Sequence, residues 1–148
     1  MSIFSSFDVN ASGMTAQRYR MDVISENVAN AQTTRTADGT PYRRKVVTFE
    51  QRGERAADFS HVFSRANDAY RGQGVKVSRV SEDTWTDMVM AYDPSHPDAD
   101  ENGYVTYPNV NIVTEMTNLI DASRAFEANA TAFNASKSIA VKGLEMGQ

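Results

Sequence analysis

Ten positions toward the C-terminal end, Ile112, Met116, Leu119, Ser123, Phe126, Ala130, Phe133, Lys137, Ala140 and Leu144, are spaced four, three, four, three, and eight of the ten are apolar. A stripe that returns every 3.5 residues runs along one side of an α-helix and needs another helix to cover it. Pro108 stands just ahead of the run, Asn109 or Asn111 can cap it, and Gly147 can stop it. Glu115 puts a negative charge near the positive end of the helix dipole. Further apolar residues lie off the stripe, among them Val113, Ile120, Ala122, Ala125, Ala128, Ile139 and Val141. The surface to be buried exceeds what one partner helix covers, so more than one neighbour is expected.

The first thirty residues repeat the spacing less cleanly, through Phe7, Ala11, Met14, Arg18, Met21, Ser25 and Val28, five of them apolar. Asn10 or Ser12 can cap the start of this helix, and Gly13 weakens its turn by about 1 kcal/mol relative to Ala. The helix is predicted to stop near Asn30–Thr34, before the turn signal Asp38-Gly39-Thr40-Pro41, which leaves about 25 residues or roughly 40 Å. Two long helices at opposite ends of a 148-residue chain, with nothing else helical to pack on, are most simply satisfied by pairing antiparallel.

The middle of the chain changes character. Tyr42–Phe49 and Val75–Val80 are rich in β-branched and aromatic residues and are flanked by turn signals, which predicts strands. Arg52–Gln73 is polar and reads as a long loop, with Trp85, Met88 and Met90 expected to supply the core of this region. The expected architecture is α+β: an N-terminal helix in 1–34, a small β-rich module in 35–108 and a C-terminal helix in 109–148, the two helices forming an antiparallel coiled coil.

Charge and composition exclude several functions. A net charge of −4 and a pI near 5.1 argue against nucleic acid as a partner, because neutralising phosphates takes a concentrated excess of Lys and Arg. No run approaches the roughly 20 apolar residues of a membrane span, so direct membrane insertion is not expected. Met1–Asp8 has neither a basic stretch followed by an apolar one nor a small-residue cleavage site, which speaks against a general secretory signal. The absence of Cys removes disulfides, thiolate metal sites and thiol nucleophiles.

Candidate chemistry is thin. Asp98-Ala-Asp-Glu-Asn-Gly103 begins like a calcium loop, but its twelfth position is Asn109 where a bidentate Glu is needed, so an acidic surface turn is the reading. Ser95, His96 and Asp98 are neighbours in a Pro-flanked turn that cannot easily align nucleophile, base and orienter. With two His and no Cys, no metal or cofactor site is assigned. Arg43-Arg44-Lys45 is read as a solvated strand edge or a subunit salt-bridge contact. Asn27 and Asn30 either cap the first helix or hydrogen-bond neighbouring helices. The chain therefore reads as a structural subunit and not an enzyme, with a discrete dimeric adaptor as the alternative.

Ser12-Gly-Met-Thr-Ala-Gln-Arg-Tyr-Arg-Met-Asp-Val-Ile-Ser-Glu-Asn-Val-Ala-Asn-Ala31 resembles the N-terminal signature of bacterial flagellar rod and hook proteins, and Glu115–Asn129 resembles their C-terminal signature. Gly39–Lys45, Gly74–Val77, Tyr92–Ala99, Asn102–Val105 and Pro108–Asn111 extend the resemblance to basal-body rod members of that family over essentially the whole chain. The resemblance implies a subunit of the proximal rod, located in the periplasmic space, exported by the flagellar type III apparatus and enclosing the export channel. The partners it implies are other rod proteins, rod-base and export-gate proteins, and neighbouring copies of the same chain. The residues expected at subunit interfaces are Met14, Met21, Val28, Leu119, Phe126 and Phe133, with Asn27 and Asn30 as polar pins.

Overall fold

In a computed structural model, which describes residues 3–52 and 73–146, the two ends of the chain form helices α1 (Ile3–Ala29) and α2 (Ile112–Glu145). At 1.5 Å per residue the 34 residues of α2 span about 51 Å. Asn111 caps it by accepting from Thr114 N at 3.1 Å, and α1 passes through Ser12 and Gly13 without a break. The helices run antiparallel in one register: the rings of Phe7 and Phe133 are 4.9 Å apart, the hydroxyls of Ser6 and Ser136 are 3.0 Å apart, and Asn27 reaches Glu115.

The line of closest approach is rotated from the expected stripe. Gly13, Ala16, Val23, Ile24 and Asn27 are buried on α1, and Glu115 and Ala122 on α2. Met14, Met21, Val28, Leu119, Phe126 and Phe133 flank this line and are half-buried, whereas Arg18, Ser25, Met116, Lys137 and Leu144, all on the expected stripes, are exposed. Small residues explain the rotation. A Cβ on Gly13 would stand 2.7 Å from Asn129 Oδ1, so the Asn129 side chain of α2 packs directly over the α1 backbone there. The expected stripe on α1 passed over Gly13 and Ala16, and with them Val23 and Ile24, which share the buried line.

Between the helices lie β1 (Lys45–Gln51), β2 (Val75–Glu82), β3 (Val89–Tyr92) and β4 (Tyr104–Tyr107), arranged as two separate antiparallel pairs, β1–β2 and β3–β4. The β1–β2 register runs from Lys45 opposite Glu82 to Gln51 opposite Val75, with a bulge at Thr48/Phe49. β2 docks on α1 through Ser12, whose Oγ donates to Val9 O at 2.7 Å and accepts from Val75 N at 3.0 Å. Gly74, at φ +87°, allows this approach, since a Cβ there would lie 2.2 Å from Ser12 Oγ. The loop expected over Arg52–Gln73 falls on residues 53–72, outside the described residues.

The expected core of the β region is corrected. Trp85 is 94% exposed, Met90 is exposed and Met88 is half-buried, while Tyr42, Val105 and Pro108 are the buried residues. In the β3–β4 pair, Ala91 and Val105 face each other across the ladder on the inner side, and Met90, Tyr92 and Tyr104 lie on the outer side. The β3–β4 hairpin was not among the expected strands: its apolar residues were read as core, without the strand pair that carries them or the face that turns inward.

Candidate assembly surface and the junction that builds it

Where α1 ends, α2 begins and β1 enters, a cluster of polar side chains is buried. Asn27 is 0% exposed, and its amide is fully engaged. Its Nδ2 donates to Lys45 O at 2.9 Å and Glu115 Oε2 at 3.0 Å, and its Oδ1 accepts from Tyr42 Oη at 2.9 Å and Lys45 N at 2.8 Å. Glu115, 1% exposed, receives Arg44 Nε and Nη2 on its other oxygen at 2.9 and 2.8 Å. A buried carboxylate held by a guanidinium and the side-chain amides of Asn27 and Asn118 has its charge compensated and both oxygens bonded.

Asn109 extends the cluster. Its Oδ1 accepts from Arg44 N at 2.9 Å, and its Nδ2 donates to Asp83 O at 2.9 Å and Thr86 O at 3.1 Å. Arg44 Nη1 also reaches Asp83 at 3.4 Å, and Lys45 pairs with Glu26. Arg44 and Lys45 thus tie strand to helix within the chain, a correction to the reading of this cluster as a solvated edge or subunit contact. The Asp83 carboxyl is held below its ordinary range, first by the Thr86 hydroxyl and then by the Thr86 and Trp85 amides and Arg44. Burial, with the nearby carboxylates of Glu26, Glu115 and Glu82, pushes the Tyr42 phenol up to about 12.

The expected interface residues divide accordingly. Asn27 spends every side-chain hydrogen bond inside the chain. Asn30 caps α1, its Nδ2 donating to Glu26 O at 2.9 Å and its Oδ1 accepting from Thr33 Oγ1 at 3.2 Å. The six apolar residues keep part of their surface open beside the helix pair. On α2, Val113, Met116 and Ile120 are exposed although α1 lies along the same stretch. Position alone forecast an acidic group at Glu115, but its burial and the roles of Tyr42, Arg44 and Asn109 were not anticipated. The sole sequence signal was the pair of asparagines in Pro108-Asn109-Val110-Asn111, a few residues ahead of Glu115.

The turn residues do local work. Ser95 Oγ donates to Asp93 Oδ1 at 2.6 Å and not to His96, whose Nδ1 accepts from Asp98 N at 3.1 Å. The Asp93 carboxyl is held below its ordinary range by these Ser95 hydroxyl and amide bonds. Asp98 accepts from Thr34 Oγ1 at 2.8 Å and pairs with Arg35 at 3.6 Å, while Asp100 Oδ1 accepts from the amides of Asn102 and Tyr104.

Two antiparallel end helices locked at one end by a buried polar junction, with apolar residues left open along their outer side, define a helix-pair assembly subunit. Two family models match the chain: "Flagella basal body rod protein" over residues 7–35 and "Flagellar basal body rod FlgEFG protein C-terminal" over residues 101–146. The flagellar basal-body rod protein FlgC of Bacillus subtilis is 44% identical over the full length of both chains. That of Borreliella burgdorferi is 46% identical over 94% of this chain and 93% of its own, and that of Escherichia coli O6:H1 is 39% identical over the full length of both. The chain belongs to the FlgC family of flagellar basal-body rod proteins.

Proposed function

We infer that this chain is a structural subunit of the flagellar basal-body rod and that it works in the proximal rod, stacking its helix pair against those of other axial subunits. The observation that carries this is the row Val113, Met116 and Ile120 on α2: it stays exposed with α1 already in place, so the helix pair has apolar surface for a further helix. Met14, Met21, Val28, Leu119, Phe126 and Phe133 border the groove between the helices and supply the remainder of the contact. In this reading 1–34 and 109–148 form the inner wall around the export channel, and 35–108 faces outward. Neighbours are copies of the chain, other rod proteins and the rod-base and export-gate proteins, reached through the type III route. Torque passes through many such contacts in parallel, and none of them requires catalysis.

The test is complementation of a strain deleted for its own copy, scored by swimming and by electron microscopy of basal bodies. The full chain restores rods, and Phe126→Asp abolishes them, because a carboxylate at the helix–helix groove cannot be desolvated without a partner. Rods that form in the uncomplemented strain, or Phe126→Asp incorporated normally, would refute this reading.

A further inference from the structure

Sulfur in this chain is confined to methionine, with seven Met and no Cys. Oxidants that act on thiolates in other proteins meet only thioethers here. Among the described residues Met14, Met21 and Met88 are half-buried, whereas Met90, Met116 and Met146 are exposed. The places of these three differ. Met90 lies on the outer side of the β3–β4 pair, and Met146 follows the last residue of α2. Met116 alone stands in the row that also holds Val113 and Ile120, with one of these apolar neighbours a helical turn away on each side.

Met116 is 56% exposed, so its thioether is open to a dissolved oxidant while the subunit is free. The residue before it is closed off: Glu115 is buried and bonded to Asn27, Arg44 and Asn118. One step along a helix turns the side chain by about 100°, which carries Met116 out of that junction. Glu115 holds the register of the helix pair, and Met116 contributes to the open row. An oxygen added to the Met116 sulfur therefore breaks no buried hydrogen bond of the subunit, and the fold survives the change.

We propose that Met116 is a modification site, at which a hydroperoxide converts the thioether to the sulfoxide and thereby bars the folded subunit from the rod. The sulfur lone pair attacks the terminal peroxide oxygen, the O–O bond breaks, and the proton of the hydroperoxide passes to the departing oxygen. Sulfur loses two electrons, and the peroxide is reduced to water or an alcohol. A flexible apolar side chain becomes a polar, chiral one. A contact that buries the new oxygen without a donor is weakened by about tenfold or more. A neighbour already seated on the row covers the sulfur, so the reaction selects unassembled chains and spares finished rods. Methionine sulfoxide reductases restore the thioether, which makes the block reversible. The inference rests on the rod reading, since it takes this row as a contact between subunits.

The test produces the full chain in the deletion strain under sublethal hydrogen peroxide. Peptide mass spectrometry then measures sulfoxide at each methionine in the unassembled pool and in isolated basal bodies. Met90 sulfoxide is expected in both. Met116 sulfoxide is expected in the pool and, relative to Met90 sulfoxide, depleted by about tenfold or more in rods. Equal representation of the two in rods overturns the proposal, as does a pool in which Met90 is oxidised and Met116 is not. A second readout is the number of rods built with peroxide divided by the number built without it, each variant serving as its own reference. That ratio is expected to fall for the parent and to hold for Met116→Leu, a volume-conserving change without sulfur; an equal fall in both overturns the proposal. Loss of helical circular dichroism when the purified chain is oxidised at Met116 overturns it too, by showing damage to the fold in place of a block on assembly. Untreated cells that build no rods refute the rod reading and this inference together, whereas normal untreated rods without exclusion of the Met116 sulfoxide refute this inference alone.

Discussion

Asn27 and Glu115, 88 residues apart in sequence and both closed off from solvent, share a 3.0 Å hydrogen bond across the helix pair. Polar groups buried at a helix–helix contact cost stability unless every bond is made, and here they are made to one particular set of partners: Tyr42, Arg44 and Lys45. A slip of one helical turn would leave Glu115 charged and unpaired. The junction therefore fixes the axial register of α1 on α2, which small residues such as Gly13 and Ala16 alone specify weakly.

Removing Arg44 while leaving Glu115 is expected to destabilise the chain by about 3–5 kcal/mol, because an uncompensated buried carboxylate remains. Arg44→Met combined with Glu115→Leu is expected to recover a large share of that loss. Urea denaturation of the two single variants and the double variant gives the coupling energy. Additive effects would mean that the pair does not act as a unit.

Gly13→Ala raises helix propensity by about 1 kcal/mol, yet it places a methyl group 2.7 Å from Asn129 Oδ1. The clash is expected to win, with a net loss of about 1–2 kcal/mol. With Asn129→Ala in the same chain the obstacle is gone, and the double variant is expected to melt above Gly13→Ala alone. Equal melting temperatures would show that the helices yield at this point.

Tyr42 ties stability to high pH. Its folded-state value of about 12 stands above the ordinary 10.0, so between these two values the unfolded chain has released the phenolic proton and the folded chain still holds it. Stability is then full below pH 10 and declines as pH rises toward 12. Tyrosinate absorbance should show one of the six tyrosines titrating later than the rest. The lag should vanish in Tyr42→Phe.

The two long helices were legible because apolar residues at 3.5-residue spacing survive in the sequence whatever they face. The β1 and β2 positions were legible from their β-branched residues, with the start of β2 at Val75 as expected and the other ends displaced by two or three residues. The phase of the helix pairing was not, since Gly13 and Asn27 share the line of contact with Ala16, Val23 and Ile24, and neither of the two scores as hydrophobic. Nor was the exposure of Trp85, because a lone aromatic in a short strand region reads as core until the Asp83 turn that holds it outward is seen. The buried junction depends on Tyr42, Arg44, Asn109 and Glu115 meeting from distant parts of the chain, and no local spacing encodes such a meeting.

The pairing of α1 with α2 also determines when this molecule can fold. Each helix covers the other's buried side, and they are the first and last described elements, so the contacts that matter most have the greatest possible sequence separation. Such a high contact order delays closure of the core until both ends are free to find each other. A chain threaded through a narrow conduit from either end has no partner for its leading helix during transit. On the proposed export route the chain would travel as a loose polymer and acquire its shape only at the far side.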